Sequence, residues 1–347
     1  MQTARRDLTI DLAKGIAIVA IVLGHVLRGL SSSGIVDGSS TTFITTDRLL
    51  YTFHLSVFAF LAALFIRRAV DRDGVWGYLR SRDALFIYLY VLWSVLQGAV
   101  KLLTGALVNS PTSVADVLRL WIPEGQLWFL PWLIVMTTVV VLTRPWRSIS
   151  AAVIMLVASA AVSVALWGLS GAIAGTQGLG LTVFFFAGAV IESHRMISAS
   201  SRVSSLTAGL LAVLGIGVMV AIVLTTSATP STMAGDTRTV LTVSLGVVAS
   251  VAGVVGVLAL ARLLAPLGVP VAWLAFVGER TLEIFLAHII AASGTRIALG
   301  LASVESPAVN ILAGTVAGIL LPLALWWVTE RIRFPWLFAA PTKLTGK

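Results

Sequence analysis

The chain has 347 residues, 58% of them hydrophobic and 11% charged, with a mean hydropathy of +0.99. A soluble domain carries about 25% charged residues, so a water-soluble body, a disordered chain and a coiled coil are excluded, and the useful unit of length is a membrane span of about 20 apolar residues. The formal charge of +9 is the size seen in nucleic-acid binders, but its placement argues for a membrane and no nucleic acid, and the lack of cysteine removes disulfides, thiolate metal sites and a cysteine nucleophile.

Apolar segments of near-spanning length follow one another at 9–30, 49–67, 83–103, 126–143, 149–168, 178–193, 204–226, 239–262, 271–292 and 308–329. They predict an all-α polytopic membrane protein of about ten transmembrane helices, one integral membrane domain over residues 1–347, in a plasma (inner) membrane. The first segment follows Arg5 and Arg6 but contains His25 and lacks a small-residue cleavage site, so it is expected to be a retained helix and not a signal peptide. The longest connections, 31–48 and 104–125, are rich in Ser, Thr, Gly and Pro; within the second, Ser113–Trp121 predicts a short amphipathic surface helix. No internal repeat stands out.

Lys and Arg placement orients the spans. With the N-terminus inside, the outer side holds Arg28, Arg48, Lys101, Arg119, Arg238 and Arg296, while Lys14 and Arg280 lie within spans. The remaining 16 of the 24 basic residues fall on the cytoplasmic side. Both termini are therefore expected in the cytoplasm.

The first span carries the sharpest chemical signal. Polar side chains inside hydrocarbon are costly and persist where they line a cavity or pathway; this helix has Asp11, Lys14, His25 and Arg28. Eleven residues separate Lys14 from His25, which places them within about 20° of each other around the axis and about 16 Å apart along it. Asp11 lies one turn before Lys14 and Arg28 one turn after His25, so all four share a stripe. A buried Asp11–Lys14 ion pair with a core histidine is the structural reading; a pathway along the helix is the functional one.

The string Ile10-Asp11-Leu12-Ala13-Lys14-Gly15-Ile16-Ala17, closing on Gly24-His25, resembles the first helix of the membrane-bound acyltransferase-3 family, and Lys14 in place of Arg is similar to its fucose 4-O-acetylase-like branch. The resemblance continues in order: Phe53-His54 through Phe60 resembles the Phe-His second span, Leu127-Trp128-Phe129-Leu130 the Leu-Trp-Phe-Leu motif, Phe184-Phe185-Phe186-Ala187-Gly188 the aromatic-then-Gly span, and Gly278 through His288 the Gly-x-x-Ser-Leu-x-Ile-Tyr-Leu-x-His segment. Ala62-Ala63 stands where the family usually has Ser-Gly, and Thr281 and Phe285 replace Ser and Tyr, which alters the expected shape of the pocket.

The other constellations have competing readings. His54, His288 and His25 all belong to the outer half, where they suit an acceptor hydroxyl or plain hydrogen bonding; no metal is expected, since residues from three different helices define no ligand geometry. His194 reads as solvated. Arg67 and Arg68, with Arg72, Arg80 and Arg82 behind them, are either membrane anchors or phosphate contacts, and the resemblance implies functional arginines at this helix end. Arg280 and Glu283 have the spacing of a structural pair. Trp128 reads as an interfacial anchor that the resemblance raises to a candidate substrate contact.

The resemblance implies an O-acyltransferase that uses acetyl-CoA, or another acyl-CoA, as donor and a hydroxyl of an extracytoplasmic sugar or glycolipid as acceptor. His25 is the expected base or acyl carrier, with Asp11 and Lys14 as its catalytic companions. Lys14, Arg67 and Arg68 would bind the donor; His54, Trp128, His288 and Arg28 would line the acceptor site. The alternative is a proton-coupled secondary transporter of a sugar or lipid, which intramembrane Asp, Lys, His and Glu also suit; a structural or regulatory membrane subunit is a third reading.

Overall fold

The computed structural model describes residues 8–105, 109, 112–233 and 238–346. Arg5, Arg6 and Lys347, part of the topology argument, lie outside them. In chain order the helices are α1 (Leu8–Ser32), α2 (Thr41–Ala63), α3 (Ile66–Asp73), α4 (Val75–Thr104), α5 (Val114–Leu118), α6 (Phe129–Thr143), α7 (Ile149–Ala165), α8 (Thr182–Ile191), α9 (Ser193–Arg202), α10 (Ser205–Thr225), α11 (Val240–Leu264), α12 (Ala272–Glu279), α13 (Thr281–Leu301), α14 (Pro307–Arg331) and α15 (Thr342–Thr345). No strand occurs among the described residues, as hydrocarbon demands of a chain that must satisfy its backbone internally.

Eight helices among the described residues are long and apolar enough to cross a membrane, or nine when α8 and α9 count as one span bent by 79°. The protein is thus a multi-pass all-α membrane protein, and its differences from the ten expected segments are local. The fifth, α7, forms but has 17 residues. The sixth turns at Glu192, whose φ of 54° is left-handed and whose carboxylate holds Arg67 at 3.1 Å and Arg195 at 3.3 Å. The ninth, expected as one stretch over 271–292, is interrupted at Arg280, where φ −108° and ψ 30° end α12. Its guanidinium lies 3.8 Å over the Trp326 ring and 3.4 Å from Glu283, so a cation in the apolar run settles the break and α13 extends to Leu301. The expected amphipathic segment appears as α5, closed by a capping box between Ser113 and Asp116.

α1 is the hub. It packs on α2, α11, α12, α13 and α14, and 72% of its most apolar window is buried, against 22% for α10 and for α14. Helix association in lipid lacks a hydrophobic driving force and depends on close packing of small residues. Gly15 faces the Leu274 carbonyl and Gly278 the Asp11 carbonyl, both too close for a Cβ. These two glycines clamp α12 against the start of α1, and the same contact buries Asp11. Gly188 of α8 meets the Phe60 carbonyl of α2 in the same way. The stripe bearing Lys14 and His25 is therefore held inside the bundle.

Candidate active site

Two cavities flank α1. The first, about 360 Å³, is lined by Lys14 from α1, Phe58, Leu61 and Ala62 from α2, Phe65, Arg72 and Asp73 around α3, Tyr78, Arg82 and Phe86 from α4, Phe129 and Leu133 from α6, and Thr281, Leu282 and Phe285 from α13. Its cations are Lys14, 5.4 Å over the Phe65 ring, Arg82, 4.5 Å over the Phe86 ring, and Arg72, paired through both nitrogens with Asp73 at 2.7 Å. Away from them the walls are aliphatic and aromatic. A cationic mouth with an apolar interior suits an anion carrying an uncharged tail.

The second, about 290 Å³, is lined by Ile21, His25, Arg28, Tyr51, His54, Leu55, Gly125, Gln126, Trp128, Phe129, Ser170, Gln177, Gly178, Thr232 and Phe285. It holds the buried polar atoms that the first lacks. His54 Nδ1, Gln126 Oε1, Gln177 Oε1 and Thr232 Oγ1 are buried and have no hydrogen-bond partner among the described residues. Buried polar groups in proteins are normally paired, so four unpaired ones within residues that line one cavity set this region apart from the first. The two cavities share only Phe129 and Phe285. Their ring centroids are 5.9 Å apart, and this aromatic partition stands where the sequence suggests an open path from Lys14 to His25.

Local sequence explains how these side chains are held. Arg28 forks onto Asp47, Nε to Oδ1 at 2.8 Å and Nη2 to Oδ2 at 2.9 Å, and its guanidinium lies 3.6 Å over the Tyr51 ring. Tyr51 in turn meets His54 edge-on with centroids 4.7 Å apart. Asp47 and Tyr51 are one turn apart on α2, so one face of that helix fixes Arg28 and braces His54. Gln126 donates from Nε2 to the Phe285 and Leu286 carbonyls at 3.4 Å each, which leaves Oε1 without a partner among the described residues. Trp128 is seated against Gly178, whose φ of 70° and proximity to the indole both exclude a side chain there.

His25 lies 5.1 Å, centroid to centroid, from His288. His288 is fully buried. Its Nδ1–H donates to the Ile284 and Phe285 carbonyls at 3.0 and 2.9 Å, because a nitrogen facing two carbonyls must carry the proton, and Nε2 is left without a partner among the described residues. His288 lines neither cavity and backs His25 instead.

The structure thus brings His25, Arg28, His54 and Trp128 onto one cavity and places Lys14 on the other. Asp11 is buried beneath Lys14 against α12. Arg67 is drawn to Glu192 and Arg68 is exposed; neither lines the first cavity, whose cations come from Lys14, Arg72 and Arg82. Which arginines of the cluster reach the cavity depends on how α3 and α4 pack around it, a level of detail that a run of five arginines does not carry. Asp47, Tyr51, Gln126, Gln177 and Thr232 were not singled out in the sequence. The i,i+4 pair Asp47–Tyr51 and a Gln just ahead of Leu127-Trp128 were available signals; Gln177 and Thr232 sit in irregular segments with none. Among the described residues no group of three His, Asp or Glu side chains is arranged to hold a metal ion.

The fold is a multi-helix membrane scaffold with a cavity lined by Lys14, Arg72 and Arg82 beside a cavity lined by His25 and His54. The acyltransferase-3 family model, described as an acyltransferase domain, matches residues 7–327; the chain belongs to this family and is a membrane acyltransferase. No curated protein and no solved structure matches the chain.

Proposed function

We propose that the protein transfers an acyl group, acetyl in the simplest case, from acyl-CoA to a hydroxyl of an extracytoplasmic sugar or glycolipid, in an inner membrane with both termini cytoplasmic. The observation that carries this reading is the division of labour along α1: Lys14 on a cation-rimmed cavity, His25 on a cavity of unpaired polar atoms, and Phe129 and Phe285 as their common wall. Donor phosphates meet Lys14, Arg72 and Arg82, and the thioester arm lies along the apolar wall towards the phenylalanines. The acceptor occupies the other cavity, where His54, Gln126, Gln177 and Thr232 offer hydrogen bonds to its hydroxyls. Lys14 favours the fucose 4-O-acetylase-like branch of the family.

In the transfer step His25 takes the proton of the acceptor hydroxyl, the oxygen attacks the thioester carbonyl, and the tetrahedral intermediate collapses with loss of the CoA thiolate. The imidazolium returns its proton to that thiolate, so the products are ester and CoA thiol. In a two-step variant the imidazole attacks first and an acyl-histidine passes the group to the hydroxyl. A burst of CoA before acceptor turnover distinguishes the two. His288, with Nδ1 committed to carbonyls, presents a lone pair on Nε2 and acts as a positioning residue for the His25 ring. Arg28, held by Asp47, supplies a fixed cation at the acceptor cavity for the developing oxyanion or for the acceptor itself.

The test is incubation of the purified protein with radiolabelled acetyl-CoA and candidate glycosides. Label in product with His25-dependent CoA release is the expected result. Ligand movement across proteoliposomes with no bond cleavage would instead establish the transporter.

A further inference from the structure

His25 lines a third cavity on the opposite flank. This one, about 390 Å³, is bounded by Arg28, Gly29 and Ser32 of α1, Gln97, Val100 and Lys101 of α4, Glu124 and Gly125, and Ile289, Ile290, Gly294 and Arg296 of α13, among others. It shares His25, Arg28 and Gly125 with the acceptor cavity. On its other side it shares Val100, Ile290 and Gly294 with an apolar groove of about 650 Å³ between α4, α13 and α14, walled by Trp93, Leu96, Ala291, Ala298, Leu321 and Leu325. The three spaces adjoin one another in order, each sharing lining residues with the next: an apolar groove, then a zone with Arg28, Lys101 and Arg296, then the cavity lined by His54 and Gln126, with His25 on both of the last two.

A soluble sugar would require the polar cavity alone. An amphiphile with a hydrocarbon chain, a polar linkage and a hydroxylated head matches all three spaces in their order. We propose that the acceptor is a glycolipid that reaches His25 sideways from the bilayer. Its chain lies in the α4–α13–α14 groove and its linkage passes Arg28 and Lys101, while its sugar faces His54 and Gln126. This rests on the acyl-transfer reading above and names the acceptor class for it.

The groove differs from an ordinary lipid-facing crevice by adjoining a charged cavity that His25 also lines, and Gly294 borders both spaces. Gly294 lines both the groove and the third cavity, and a Cβ built there meets no atom within 4 Å. A larger side chain at this helical position therefore starts into open space between the groove and the third cavity, and replacing glycine does not cost helix propensity.

The experiment uses the full chain in nanodiscs with dodecyl glucoside bearing a diazirine at the chain end. After photolysis the label should concentrate on peptides of α4, α13 and α14, be displaced by unlabelled dodecyl glucoside and not by methyl glucoside, and fall about tenfold in Gly294→Phe. Label spread evenly over the lipid-exposed α7 and α10, or unchanged in Gly294→Phe, would overturn the proposal. CoA release from acetyl-CoA is measured on the same samples. Equilibrium binding of acetyl-CoA retained in Gly294→Phe shows that the variant is folded; no release from the unaltered protein sinks the acyl-transfer reading, whereas normal release with indifferent labelling sinks the glycolipid route alone.

Discussion

The two cavities on either side of Phe129 and Phe285 are similar in size and opposite in chemistry. The Lys14 side is lined by three cations, one of them Arg72 paired with Asp73, and otherwise mostly by aliphatic and aromatic side chains, which suits the phosphates and uncharged arm of the proposed donor. The His25 side places polar atoms throughout its interior, several of them unpaired, and is braced by the Asp47–Arg28–Tyr51–His54 chain of contacts. In the proposed function one region grips the donor at a distance from the chemistry and the other orders the acceptor beside His25. The difference follows from where charge is affordable in hydrocarbon: near a helix end it can be hydrated, while deeper in the membrane it needs fixed partners.

The contrast predicts a graded series of effects. His25→Ala should reduce acyl transfer by about a thousandfold, within the range expected for loss of a general base, while equilibrium binding of the acyl-CoA stays near the unaltered value. A donor affinity that collapsed together with turnover would mean that the cavities are not separate. Lys14→Ala should raise the donor Kd about tenfold, the loss of one charge-assisted contact, with Lys14→Arg recovering part of it and the acceptor KM unmoved; unchanged donor titrations would contradict the rim assignment.

Smaller effects test the partition. Phe285→Leu removes an aromatic edge and should open a path for water, so that CoA release without acceptor rises about threefold while productive transfer falls, the pattern of a leaking barrier. Equal change in both rates would assign Phe285 to packing. Smallest are the arginines: Arg72→Ala and Arg82→Ala should each weaken donor binding by about threefold, as partly solvated charges do. Arg68→Ala, exposed and outside the cavity, should leave it unchanged.

The legibility of the site followed the periodicity of single helices. Lys14 and His25 share a stripe of α1 because 3.6 residues per turn brings positions eleven apart into line, and the structure places that stripe inward along two cavities. His54 and Trp128 were visible as residues of ordered motifs. Gln126 and Asp47 were not, since their importance depends on the Phe285 carbonyl and on Arg28, residues far away in the chain. The ninth span differs because the backbone breaks at Arg280, between α12 and α13, and an apolar average over 271–292 does not register a change of backbone angle at one residue.

Composition and spacing by themselves determined that this is an all-helical membrane protein with Lys14 and His25 on one stripe of its first span, and ordered motifs gave the resemblance to the acyltransferase-3 family. Those properties arise from local rules: apolar length sets the spans, and helical pitch sets the stripe. Only the tertiary structure decided that Lys14 and His25 face separate cavities meeting at two phenylalanines, that Arg72 and Arg82 and not Arg67 and Arg68 complete the cationic rim, and that Asp47 fixes Arg28. Each of these depends on which helix lies beside α1, and small residues such as Gly15 and Gly278 set that neighbour through packing, which no single stretch of sequence encodes.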